Sequence, residues 1–133
     1  MTQRLDVAVG MLRRSDGAVL MASRPIGKPY AGYWEFPGGK CEADEDSVQA
    51  LRRELIEELG VNIQKTAFAW VLEHNYPHAD VRLHFHWVTD WEGAPRALEH
   101  QQLLWVRHQD AWPYPVLPAT VPLLTRVREE MPA

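Results

Sequence analysis

The stretch from Asp46 or Ser47 to about Leu59 constrains the fold of this chain more than any other, because it reads as one helix with two unlike faces. Asp46 and Ser47 each carry an oxygen able to accept from the free N–H groups of a first turn, and Gly60 is a favoured residue just past a last one. With Glu54 at zero on a wheel of about 100° per residue, Val48, Leu51, Leu55 and Leu59 fall within an arc of about 80°. Glu54, Glu57 and Glu58 fall within about 100° on the adjoining face. One face packs and the other presents carboxylates. Like charges three and four residues apart destabilise a helix by roughly 0.2–0.5 kcal/mol per pair. Two arrangements relieve that penalty: a solvated face partly neutralised by Arg52 and Arg53, or a bound cation.

Around this helix the chain reads as strand and loop. Leu5, Val7, Val9 and Met11 alternate with Asp6, Ala8, Gly10 and Leu12, and Ser15-Asp16-Gly17 supplies a turn before Ala18 to Ala22 resumes, so the chain is expected to open with a hairpin. From Arg24 to Gly39, Pro25, Gly27, Pro29, Gly32, Pro37, Gly38 and Gly39 leave room only for a short strand near Tyr33 to Phe36. Such a loop can line a site. Further strands are expected over Thr66 to Glu73, over Val81 to Thr89 after a turn around Pro77, and near Leu103 to Arg107. In the second of these Val81, Leu83, Phe85 and Trp87 face one way, while Arg82, His84 and His86 face the other. Trp70, Trp87 and Trp105 lie inside strands and read as packing rather than as base-stacking platforms. Beyond Pro113 to Pro118, Val121, Leu124 and Val127 keep helical spacing across Ala119 to Glu130, with Pro122 in the first turn. A chain of 133 residues with no repeat or linker is then one domain, 1–133, of the mixed α/β class.

Composition narrows the partners. Hydrophobic residues at 46 % and charged residues at 24 % exclude disorder and fibrous repeats. Lys and Arg number 14 against 18 Asp and Glu, and the net charge of -4 argues against a nucleic-acid polymer as partner. A small anion would need a local positive site or a metal. Cys41, the one cysteine, cannot form an intramolecular disulfide, so a reducing cytoplasm is the expected compartment. Leu5 to Leu12 is too short to span a bilayer and no small-residue cleavage site follows it, so no membrane association is expected.

From Gly39, five residues lead to Glu45, and seven more lead to Arg53-Glu54-Leu55-Ile56-Glu57-Glu58-Leu59-Gly60-Val61. This run resembles, without a missing position, the signature of the Nudix hydrolases. Average residue usage would give it by chance at a rate on the order of 10⁻⁷ or less in a chain of this length. The resemblance implies an α/β/α sandwich, a mixed sheet between helices, with two loops and the long helix forming a divalent-metal site for a diphosphate. Glutamate oxygens are hard donors suited to Mg²⁺, with Mn²⁺ as a substitute, and the absence of thiol or imidazole in the helix cluster disfavours zinc. By the same resemblance Glu57 and Glu58 are metal ligands, Gly38 is a backbone-carbonyl ligand, and Arg53 holds the helix carboxylates in place. Glu54 is a metal ligand or the base that activates water. Glu99, on a later loop, is also brought to the metal, and either Glu54 or Glu99 takes the proton. Glu45 supports the loop and the helix start.

The similarity is closest to the MutT-like branch, carried also by Val7-Ala8-Val9-Gly10, Trp34 to Lys40, Asp90-Trp91-Glu92-Gly93 and Pro118 to Pro122. It implies hydrolysis of nucleoside triphosphates to the monophosphate and pyrophosphate, with oxidised purine nucleotides such as 8-oxo-dGTP as the first substrate set, in a monomer or homodimer. Phe36 falls among the expected substrate contacts. Arg24 matches an arginine at the nucleotide site of this branch, where its fork would bind phosphate; its alternative is a surface arginine at a strand end. Thr120 stands where the founding oxidised-guanine hydrolase has an asparagine that reads the purine edge, and His78-Ala79 replaces an Asp-Arg pair. One hydroxyl cannot supply both the donor and the acceptor of an amide. Cytidine nucleotides or a broad range are therefore the second substrate class, and Thr120 has capping of the last helix as its alternative role. His84 and His86 share a strand face, for which a solvated or hydrogen-bonded role is the first reading, a contact of His84 with the nucleotide the second, and a transition metal the third. Two further classes compete with catalysis: a nucleotide-sensing domain without hydrolysis, and a protein-interaction domain.

Overall fold

The computed structural model describes residues 4–77 and 79–131. Its elements run β1 (Arg4–Leu12), β2 (Val19–Ser23), β3 (Trp34–Glu35), β4 (Gly38–Lys40), α1 (Ser47–Leu59), β5 (Asn62–Tyr76), β6 (Ala79–Glu92), β7 (Leu103–Val106), a 3₁₀ turn (Val121–Leu123) and α2 (Leu124–Glu130). The helix limits follow from local chemistry. Asp46 accepts from the Gln49 backbone N–H, and the Gln49 side chain accepts in return from the Asp46 N–H, closing a capping box. Gly60 ends the helix at φ 71, left-handed backbone that costs glycine little.

The strands form two sheets. The larger is mixed, in the order β4-β1-β6-β5, with β1 parallel to β6 from Arg4–Asp80 to Leu12–Val88 and antiparallel to β4. The smaller, β3-β2-β7, is antiparallel. The expected opening hairpin does not form as a paired unit. The Ser15-Asp16-Gly17 turn is present, with the Arg14 N–H bonded to the Ala18 carbonyl at 2.9 Å and one bridge from Arg13 to Val19. Both edges of β1 are already taken by β4 and β6, so β2 leaves for the other sheet. The expected strands over 66–73 and 81–89 extend into the long β5–β6 pair, joined through Pro77.

Alternation along β1 divides the core. Ala8 and Leu12 pack with Leu51, Leu55 and Leu59 of α1, and a Cβ on Gly10 would meet the Leu51 side chain at 3.1 Å, so the helix lies close on that face. Val9 and Met11 face the opposite way, into a cluster with Phe85, Trp87 and Trp70 that Leu123, Val127 and Met131 close. The mixed sheet therefore lies between α1 and the C-terminal helical segment. Trp70 and Trp87 are buried there, as their strand positions imply, while Trp105 stacks on Trp91 beside the α1 layer. Among the described residues, no helix is long and apolar enough to cross a membrane.

Candidate active site

A cleft of about 520 Å³ opens on the face of the sheet opposite α1's packed side. Its floor is apolar because the outward positions of two parallel strands meet there: Leu5, Val7 and Val9 from β1, Val81 and Leu83 from β6. The proline-rich segment forms one wall through Pro25, Lys28, Pro29 and Tyr30. That loop was expected to line a site, and it does.

At one end α1 meets β4. Arg53 organises this corner: its Nε and Nη2 each donate to Glu45 at 2.8 Å, Nη1 donates to Glu54 at 2.9 Å, and Nη2 also reaches the Lys40 carbonyl at 3.0 Å. These bonds hold the Glu45 carboxyl down to about 2. Glu45 thus ties the loop to the helix, as expected of it. A Cβ on Gly39 would fall within the Glu54 carboxyl, so any side chain there would displace that carboxyl from its place beside Arg53. The Gly38 N–H donates to Glu58 at 3.3 Å.

Glu54, Glu58, Glu99 and Gly38 line the same end of the cleft. Burial, then the like charges of Glu54, Glu99 and Glu35, push the Glu58 carboxyl up to about 9. Burial also raises Glu54, opposed by the hydrogen bond from Arg53. Glu57 differs: it is exposed, lies 3.6 Å from Arg53 and is not part of the cleft lining. Among the described residues, no three histidine, cysteine or acidic side chains are already gathered as a metal cluster. The donor set nevertheless fits a hard divalent cation. Three carboxylates line one cleft, and burial together with their mutual like charge disfavours ionisation of Glu58, a penalty that a bound cation would relieve.

Also in the lining, Arg24 and Glu35 form an ion pair at 3.1 Å, and Arg24 Nε donates to the Pro29 carbonyl at 2.6 Å. Arg24 lines the cleft, though its fork is engaged by Glu35. Burial raises the Glu35 carboxyl, against the pull of Arg24. Phe36 is buried in the lining and packs edge-on to Trp112. Thr120 is 3 % exposed, lines the cleft and makes no side-chain capping bond, so the capping role is excluded.

His84 requires a correction. Val81 and Leu83 face the cleft, so the two-residue period turns His84 away from it. Its Nε2 lies 3.0 Å from Asp6, and His86 on the same face is buried with Nε2 2.8 Å from the Ser47 hydroxyl. Neither touches the cleft. His78 lies outside the described residues, while Ala79 is buried at the start of β6. Among the lining residues not singled out from sequence are Glu35, Tyr76 and Gln101. Glu35 lies within the Trp34–Lys40 segment already noted. Tyr76 accepts from the Ala119 N–H at 3.0 Å, and only the fold brings those positions together.

Residues 2–127 match the family model described as the NUDIX domain. The CTP pyrophosphohydrolase of Escherichia coli is 43 % identical over 122 residues, covering 90 % of this chain and 88 % of that protein. The 8-oxo-dGTP diphosphatase of Haemophilus influenzae is 34 % identical over 128 residues, covering 95 % and 93 %. The crystal structure of a MutT NUDIX hydrolase from Burkholderia pseudomallei superposes with a TM-score of 0.82 at 27 % identity, covering 96 % of this chain and 98 % of that one.

Proposed function

This chain belongs to the NUDIX domain family, whose hydrolases use divalent metal ions, and from that premise we propose that it is a magnesium-dependent nucleoside triphosphate pyrophosphohydrolase working as one domain over 1–133. The observation that carries the reading is that Glu54, Glu58 and Glu99 line one cleft with an apolar floor, close enough that like charge raises the Glu54 and Glu58 carboxyls. Glu54, Glu57, Glu58, Glu99 and the Gly38 carbonyl would hold the metal, Glu57 from the rim beside Arg53. When bound, the metal neutralises charge that grows on the phosphate oxygens and helps to orient an attacking water.

The protein's own groups do the rest. Either Glu54 or Glu99 would take the water's proton. Arg53 keeps Glu54 from turning away by donating to one of its oxygens. Lys28, Lys40 and Arg24 line the cleft and supply positive charge for the phosphate chain, Arg24 by exchanging Glu35 for phosphate. The apolar floor and Phe36 receive the base, and Glu35 and Thr120 supply the polar contacts to its edge.

Oxidised purine deoxynucleotides are the leading substrates, supported by the likeness to proteins named 8-oxo-dGTP diphosphatase and by the Glu35 carboxylate, which offers acceptors to a base edge. Cytidine nucleotides form the second reading. It is favoured by threonine at position 120 and by the 43 % identity to the CTP pyrophosphohydrolase. Pyrophosphate release from ordinary, oxidised and methylated nucleoside triphosphates at one enzyme concentration decides between them. The leading reading expects 8-oxo-dGTP to be the fastest; equal rates throughout defeat it, and no release from any triphosphate defeats the chemistry.

A further inference from the structure

The last carbonyls of a helix lack helical donors, and the way α1 satisfies its own bears on the site. The Ile56 carbonyl accepts from the Gly60 N–H at 3.0 Å, and the Leu59 carbonyl from the Arg96 N–H at 2.9 Å. The Glu58 carbonyl accepts twice, from the Leu98 N–H at 3.1 Å and from Nε2 of Gln101 at 3.1 Å. The Oε1 of that same Gln101 accepts from the Glu99 backbone N–H at 2.9 Å. One amide thus bridges the backbone of Glu58 and the backbone of Glu99. Gln101 is 8 % exposed and lines the cleft, whereas Glu99 is exposed and belongs to no helix or strand. His100 between them sits at φ 64, the left-handed backbone that reverses the chain so that the side chain of residue 101 reaches back to residue 99.

We propose that Gln101 is a positioning residue for hydrolysis, which sets the Glu99 carboxylate against the carboxylates of α1 by clamping the Glu99 N–H to the Glu58 carbonyl. The proposal rests on the reading of Glu99 as part of the site. Nothing in the segment's own secondary structure fixes where Glu99 points. An apolar side chain at 101 would leave a partly buried backbone donor without its acceptor and free the loop at the residue where placement matters. Glutamine suits the task because one planar group offers a donor and an acceptor at once.

The test compares Q101M, E99Q and the double variant in turnover, in Mn²⁺ affinity by calorimetry, and in amide exchange at Glu99 by NMR. Q101M is expected to lower kcat about tenfold with KM for the nucleotide within about twofold, and to weaken Mn²⁺ binding by about the same tenfold factor. Exchange at the Glu99 amide is expected to accelerate about tenfold, while the Leu55 amide in α1 keeps its protection. In the E99Q background Q101M is expected to cost no more than about a further twofold, because the clamp has nothing left to place. A full tenfold loss in that background shows that Gln101 acts elsewhere and overturns the proposal, as does faster Glu99 exchange with kcat unchanged. E99Q with full activity instead overturns the reading of Glu99 itself, and the proposal with it. Should Q101M fail to fold, Q101N carries the same comparison, since its shorter amide can serve only one of the two backbone partners.

Discussion

Glu54 and Glu57 lie one helical turn apart, yet only Glu54 lines the cleft, where Arg53 fastens one of its oxygens and the backbone of Gly39 passes beneath it. Glu54→Gln keeps that shape and removes the charge, so turnover is expected to fall at least about a hundredfold with the melting temperature within about 2 °C of wild type. A melt and a pyrophosphate assay on the same preparation check both parts. His84→Ala is expected to leave kcat/KM within about twofold, because the ring pairs with Asp6 on the other face of the sheet. A larger loss of kcat/KM in the folded variant would return His84 to the nucleotide. The helix residues could be read from spacing alone, since three- and four-residue separations fix neighbours within one turn. His84 could not. The alternation placed it correctly opposite Leu83, but which face meets the cleft depends on how the sheet packs against α1.

The same division between local and distant information runs through the elements. Both ends of α1 follow from residues within a few positions of it, so they could be located from sequence. The pairing of β1 with β6 joins residues about 76 positions apart, and no turn motif announces it; the hairpin inferred from Ser15-Asp16-Gly17 was therefore locally sound and globally superseded. Asp46→Ala removes one half of the capping box and is expected to cost about 1 kcal/mol in urea unfolding. The Glu45–Arg53 tie makes a pH prediction for the loop–helix junction. Folding lowers the Glu45 carboxyl from 4.5 to about 2, so its contribution is fully present above the unfolded value and is lost as pH falls from there toward 2. Glu45→Gln should therefore melt below wild type at pH 6, with the gap narrowing as pH approaches 2. A gap that stays constant over that range would show that the pair contributes shape and not charge.

For the molecule as a whole, the two apolar clusters lie on either side of the mixed sheet, and Glu54, Glu58 and Glu99, the carboxylates proposed to hold the metal, line a cleft whose floor is the surface of one cluster. Metal removal should accordingly abolish hydrolysis without unfolding the chain. Stability should still respond to the ion, because a ligand that binds only the native state adds RT ln(1 + [L]/Kd), about 2.7 kcal/mol at a hundred times Kd. For a domain of this size that corresponds to a rise in melting temperature on the order of 10 °C between chelator and saturating Mg²⁺. Monovalent salt at matched ionic strength should give much less, since screening acts weakly on partly buried groups. Glu58→Gln separates specific binding from general relief of the -4 net charge. It removes one proposed ligand while leaving the rest of the acidic surface in place, so a specific site predicts that the Mg²⁺-dependent rise shrinks to a few degrees. If the variant keeps the whole rise, the ion is stabilising the chain from somewhere other than the cleft.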